Sequence, residues 1–245
     1  MKFFKKEAAA LAAVALVLCS CASRGTPELP FDHTQAGNPR VIGLIKPASP
    51  DRAAAPIPVG SSGGIAGLLV AGTVAVMRSN RESSLDDIVH SHNFSFSDHF
   101  TQTVVSELTR EGYTVKMVDL PRNGLKPIDK TAIAGRADLA VDAVLDITVS
   151  GYGYVAASNS SDAPYRPFVV ANVQLLRANG ANDVLMKDIV VYNPYNNPKD
   201  VVSIAPDPEY NFVHFSDIEA DPTNAVSGMV VAAEQTGQAV AQLLK

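Results

Sequence analysis

Residues 141–156 read VDAVLDITVSGYGYVA. Leu145, Ile147 and Val149 alternate with Asp146, Thr148 and Ser150, the period-two signature of a strand with one face on a core and one toward solvent. The next apolar run, PFVVANVQLLRANG (167–180), repeats the alternation through Val169, Ala171, Val173 and Leu175. It ends at Asn179-Gly180, a hairpin turn signal. A third run, DVLMKDIVVYNPY (183–195), follows directly. Three alternating runs joined by short turns predict an antiparallel meander.

Upstream, RVIGLIK (40–46) is a short apolar strand stopped by Pro47. FSFSDHFTQTVVSELTREG (94–112) is punctuated as a helix: Ser97 or Ser95 caps it, Asp98 suits its first turn and Gly112 stops it. Phe100, Val104 and Leu108 form one apolar stripe, with Val105 beside it. YTVKMVDL (113–120) reads as a second strand, packed inward or at an edge. Pro127 opens a predicted second helix over 127–139, with Ile128, Ala132 and Ile133 on one side. Residues 193–220 are rich in Pro and Asn and predict an extended excursion over the surface. Asp221-Pro222 then supplies an N-cap and an N1 proline to a last helix. Its apolar face carries Val226, Met229 or Val230, Ala233, Val240 and Leu244. The resulting order, β-α-β-α-β-β-β-α, predicts an α/β (α+β) fold: a two- or three-layer sandwich with a mixed sheet.

At the other end of the chain, Lys2, Lys5 and Lys6 precede an apolar stretch over residues 8–18. A basic head, a short apolar run and small residues after it form a secretory signal peptide. A permanent span needs ~20 apolar residues, so this run is too short to be one. Both cysteines of the chain follow, as Leu18-Cys19-Ser20-Cys21. This resembles the bacterial lipobox, which places the lipid on Cys21 and discards Cys19 with the signal. The competing readings are a plain secreted protein cleaved after Ala22, or a Cys19–Cys21 disulfide. A bridge across one residue closes a strained ring. Two terminal cysteines also cannot staple a core. Ala22 rather than Asp after the lipid cysteine resembles outer-membrane sorting. Residues 1–20 are therefore expected to be a lipoprotein signal peptide and 21–39 a flexible tether. Residues 40–245 form a single periplasmic domain with insertions at about 47–93 and 193–220.

The net charge of −5 argues against a nucleic-acid partner, and losing three lysines against one glutamate with the signal makes the mature part more acidic. With no other cysteine, the domain relies on its core alone. Residues 63–77 carry no charge and place Gly63, Gly67 and the 71–73 Ala-Gly-Thr at near-helical spacing. They read as a short buried helix under the sheet, or as a stretch packing against membrane or another subunit.

Few residues point to chemistry. DIVHSHNFSFSDHF (87–100), with Asp86 before it, gathers Asp86, Asp87, His90, His92, Asp98 and His99. His90-x-His92 in a strand would put both imidazoles on one face for zinc or copper. No third ligand at defined spacing accompanies the pair, and it falls in a segment read as a linker, so no metal or cofactor is expected. Ser61-Ser62-Gly63-Gly64 lacks the Gly-Lys-Ser/Thr of a phosphate loop. Ser150 to Tyr154 continues as strand and is no nucleophile elbow. Tyr152 and Tyr154 share a sheet face, as a contact patch or as an aromatic ladder within the fold. Asp138, Asp142 and Asp146 read as cap and solvent-face residues. No catalytic set emerges.

The order of elements, the lipobox, and the pattern in residues 108–115, 137–154 and 169–191 resemble the curli-secretion (CsgG-like) lipoprotein superfamily. The resemblance spans about residues 40–192 and the last helix. It implies an α/β sandwich in the periplasm with a role in envelope assembly or secretion, often through oligomerisation. Pore formation is not carried over, because 63–77 reads as helical or irregular and not as a pair of barrel strands. The expectation is a non-enzymatic, lipid-anchored outer-membrane protein that binds itself or another protein. The alternatives are a metal-dependent enzyme around His90 and His92, or a small-ligand or lipid carrier with a pocket under residues 63–77.

Overall fold

In the computed structural model of the 245-residue chain, residues 23–24, 27–56, 80–157, 163–178, 183–193 and 200–245 are described. The signal peptide, Cys21, the 61–64 loop, the 63–77 stretch and the Asn179-Gly180 turn lie outside them. Among the described residues the strands are β1 (Ser23–Arg24), β2 (Val41–Ile45), β3 (Thr114–Val118), β4 (Ala143–Ala156), β5 (Tyr165–Arg177), β6 (Val184–Tyr192) and β7 (Val202–Ile204). The helices are α1 (His33–Ala36), α2 (Asn80–Ser91), α3 (Phe96–Arg110), α4 (Phe215–Ala220) and α5 (Pro222–Gln242). The strands form one mixed sheet in the order β1-β7-β6-β5-β4-β2-β3. The α/β class and the mixed sheet are as the alternation predicted.

The meander is its centre. β4 and β5 pair antiparallel with Leu145 opposite Leu175 and Ile147 opposite Val173. β5 and β6 pair antiparallel with Ala171 opposite Val190. β2 runs parallel beside β4, and β3 parallel outside β2. One face of the sheet carries Leu145, Ile147, Val149, Val169, Ala171, Val173 and Leu175 into a core shared with Phe100, Val104, Leu108, Met229, Ala233 and Val240. The stripes read from the sequence on α3 and α5 thus both lie on this face. Ser95 caps α3 by accepting from the Asp98 amide, and Asp221 caps α5 by accepting from Asn224.

Five expectations are corrected. Residues 127–139 do not form a helix but two short 3₁₀ turns, Lys130–Ala132 and Ala137–Leu139. Gly135 takes left-handed backbone angles between them, which an α-helix cannot continue through. The segment instead folds under the second face, where Leu120, Ile128 and Ile133 meet Val144 and Leu176. The polar alternates of β4 are therefore covered: Asp146 and Thr148 are buried, not solvent-facing. α2 lies within the predicted 47–93 insertion and buries Leu85, Ile88 and Val89 in the main core. The 193–220 excursion contains β7, parallel to β6, and buries Phe212, Phe215 and Ile218. Finally, the region expected to be a flexible tether is docked wherever it is described. β1 pairs with β7, Leu29 bridges Lys187, and Arg177 donates to the Gln35 and Ala36 carbonyls.

Candidate functional site

α2 decides the fate of the histidine cluster. His90 lies in its last turn and His92 beyond its end at Ser91, so the two do not share a face as they would on a strand. His90 is 75% exposed, with Nε2 3.7 Å from Asp86. His92, just past the helix, donates from Nδ1 to the Ile88 carbonyl at 3.0 Å. His99 stacks on Phe94. Among the described residues, no three His, Cys, Asp or Glu side chains are placed to hold a metal ion. Asp86 is the buried member of the cluster, paired through Oδ2 with Arg52 Nε at 3.1 Å. Its Oδ1 has no hydrogen-bond partner. Asp87 and Asp98 are exposed.

Tyr152 and Tyr154 form the internal ladder and not a surface patch. A bulge between Val149 and Gly151 shifts the parity of β4, because one extra residue moves every later side chain to the other face. Both tyrosines therefore join Leu145, Ile147 and Val149 under the helices. Tyr152 stacks on Phe96, with ring centroids 4.4 Å apart. Tyr154 donates to the Ala225 carbonyl at 3.0 Å and meets Phe212 edge-on. Burial pushes the Tyr152 phenol up to about 12, and raises that of Tyr154 as well. The parity shift was foreshadowed by Gly151 and Gly153, since glycine inside a strand marks a bulge or a close backbone approach. Ala54 makes that approach: its amide donates to Tyr152, and its carbonyl accepts from Tyr154.

The three aspartates divide by position. Asp138 pairs on the surface with Arg136 at 2.8 Å. Asp142 accepts from the Val41 and Arg40 amides, both at 2.8 Å, and those bonds hold its carboxyl below the usual range. It caps the start of β2, as its type predicted. Asp146 sits at the centre of the second face. It accepts from Arg122 at 2.5 Å, from the Ile128 amide at 2.8 Å and from Gln174 Nε2 at 2.8 Å. Together these bonds fasten the 120–139 connection to β4 and β5. A groove of about 450 Å³, open to solvent, runs beside it between Ile45, Met117, Leu120 and Arg122.

One end of the sheet gathers features that are far apart in sequence. β4 finishes at Ala156, opposite the first residue of β5, Tyr165. Tyr165 is bridged in turn by Phe212, with backbone bonds of 2.7 and 3.0 Å. Pro56 reaches the same place, its carbonyl accepting from the Ala156 amide at 3.2 Å. Arg81, near the start of α2, donates to the Tyr165 hydroxyl at 2.5 Å and lies over the Tyr165 and Phe215 rings. Tyr192, the last residue of β6, pairs with Ile204, the last of β7. β1 runs antiparallel to β7, with Arg24 opposite Val202 and Ser23 opposite Ser203. Traced backward, the chain heads toward this end. No described helix is long and apolar enough to cross a membrane.

No protein-family model and no curated protein matches the chain. Among solved structures, a lipoprotein of Neisseria meningitidis, GNA1162, is 16% identical over 65% of this chain and 87% of that one, at a TM-score of 0.28. A PelC variant from Paraburkholderia phytofirmans, crystallised as a dodecamer, is 11% identical over 87% of this chain and 95% of that one, at a TM-score of 0.25.

Proposed function

We propose that this chain is a lipid-anchored protein of the bacterial outer membrane, facing the periplasm, that works by binding protein and not by catalysis. Its partner is a second copy of itself or a component of envelope assembly. The observation that carries the reading is the sequence Leu18-Cys19-Ser20-Cys21 behind a basic, short apolar head. Membership of the curli-secretion lipoprotein superfamily, read from residues 108–115, 137–154 and 169–191, is part of the same proposal. Binding is favoured over catalysis by how the conspicuous polar groups are used. Asp142 and Asp146 hold backbone and connections in place, and Tyr152 and Tyr154 build the core.

The test is chemical cross-linking of the full chain in its native membrane, followed by detergent extraction and molar-mass determination. A discrete species heavier than the monomer, containing this chain alone or with one co-purifying envelope protein, is the expected result. A strictly monomeric chain with no cross-linked partner would contradict the proposal.

A further inference from the structure

We propose that the domain stands on the membrane with one end of its sheet, the end where β4 finishes and β5 begins, against the lipid headgroups. The inference rests on the lipid-anchor reading of Cys21 and adds an orientation to it. Two residues of chain reach at most about 7 Å, so a lipid on Cys21 holds Ser23 that close to the bilayer. Ser23 is not free to swing, because it is paired with Ser203 in β7. Through the ladder Ser203, Val191 and Val170, it lies level with Gly151 of β4. β4 continues from there to Ala156, about 16 Å at ~3.3 Å per residue. The continuation runs the same way as the chain traced back from Arg24 to Ser23. The far end of β4 and β5 therefore reaches the bilayer plane instead of hanging beneath a loose tether.

Two further observations point the same end toward lipid. Pro56 and Arg81, on either side of residues 57–79 in sequence, both lie here, beside Ala156 and Tyr165, and the sequence between them is uncharged from Gly63 to Met77. Val213, 58% exposed, directly follows the Phe212 that bridges Tyr165. Among the described residues, the other exposed large apolar side chains sit elsewhere. Leu29, Met117 and Val184 register with β4 at Asp146, Leu145 and Val144, near its opposite end, and Leu125 lies in the 120–139 connection.

The chain has no tryptophan, so a single introduced one reports on its own surroundings. Val213→Trp and Asn211→Trp place it at the proposed contact; Val184→Trp and Met117→Trp place it at the opposite end of the sheet, level with Val144 and Leu145. All four positions are exposed, and each variant's thermal melt checks its fold. The full-length variants, made in a host that processes lipoproteins, are reconstituted into phosphatidylethanolamine–phosphatidylglycerol vesicles containing headgroup-nitroxide phosphatidylcholine. The expected result is flotation of all four, with quenching severalfold stronger at 213 and 211 than at 184 and 117. Flotation with equal or reversed quenching overturns the orientation and leaves the anchor standing. Failure to float overturns the anchor, and the orientation with it.

Discussion

The Arg122 guanidinium meets the Asp146 carboxylate at 2.5 Å on the sheet face away from the helices, where only 1% of the Asp146 side chain is exposed. Removing one member of a buried pair leaves the other charge uncompensated and costs ~3–5 kcal/mol, whereas exchanging both for apolar groups is often near neutral. Arg122→Met should therefore destabilise the domain by about that amount. Asp146→Leu combined with Arg122→Met should cost clearly less than the two single changes added together. Urea unfolding of the four proteins in a double-mutant cycle measures it; strict additivity would show that the pair is not coupled.

Gly228 of α5 is the second site with a sharp expectation. A Cβ there would overlap the Tyr154 hydroxyl oxygen and come within 2.8 Å of the Tyr210 Cβ. Glycine ordinarily weakens a helix interior by ~0.5–1 kcal/mol relative to alanine. Here the sign reverses, because overpacking a filled site costs ~1–3 kcal/mol. Gly228→Ala should lower stability, and Tyr154→Phe, which loses the bond to Ala225, should lower it by ~1 kcal/mol. In the double variant the cost of Gly228→Ala should shrink, since the clashing oxygen is gone. Chemical denaturation decides this, and a stabilised Gly228→Ala would contradict it.

Gly153 is held at φ +134°, and a Cβ on it would overlap the Ala54 carbonyl oxygen. Gly153→Ala should free the 47–56 segment from the edge of β4. The expected signature is faster hydrogen exchange at the Ala54 and Tyr154 amides, which bond across that contact, by a larger factor than in the Leu145 and Ile147 region, where exchange tracks the global stability. Backbone strain of this kind costs ~1–3 kcal/mol, so the global stability should fall as well.

The buried tyrosines set the alkaline limit. Burial raises Tyr152 and Tyr192 to about 12 and Tyr154 further, from an ordinary 10.0. A phenol raised in the folded state contributes stability that is fully present below pH 10 and is lost as pH climbs through about 12. Absorbance titration should show these three of the seven tyrosines ionising only together with loss of the folded state. Smooth titration of all seven with the fold intact would refute it.

What could be read in advance follows from which signals are local. The meander was legible because Leu145, Ile147, Val173 and Leu175 alternate without interruption, and α3 because its cap and stripe agree. α2 was missed although Leu85, Ile88 and Val89 have helical spacing, because Asp86, Asp87, His90 and His92 around them read as a polar cluster. The 127–139 stretch erred the other way. Its apolar residues suit a helix, but Ile128 and Ile133 are claimed by the second face, and the Ile128 amide goes to Asp146. The parity of Tyr152 and Tyr154 depended on a bulge, and β1 on a partner, β7, more than a hundred residues away. No pattern within a single window carries such pairings.

The central claim is that Cys21 carries lipid, and intact-mass and N-terminal peptide mass spectrometry of the mature protein test it most directly. The expected result is a chain that begins at Cys21, lacks Cys19, and bears diacylglycerol with or without an N-acyl chain. Cys21→Ser should abolish both the added mass and the membrane association. An unmodified N-terminus after Ala22, or a mature chain that keeps Cys19, would contradict the account.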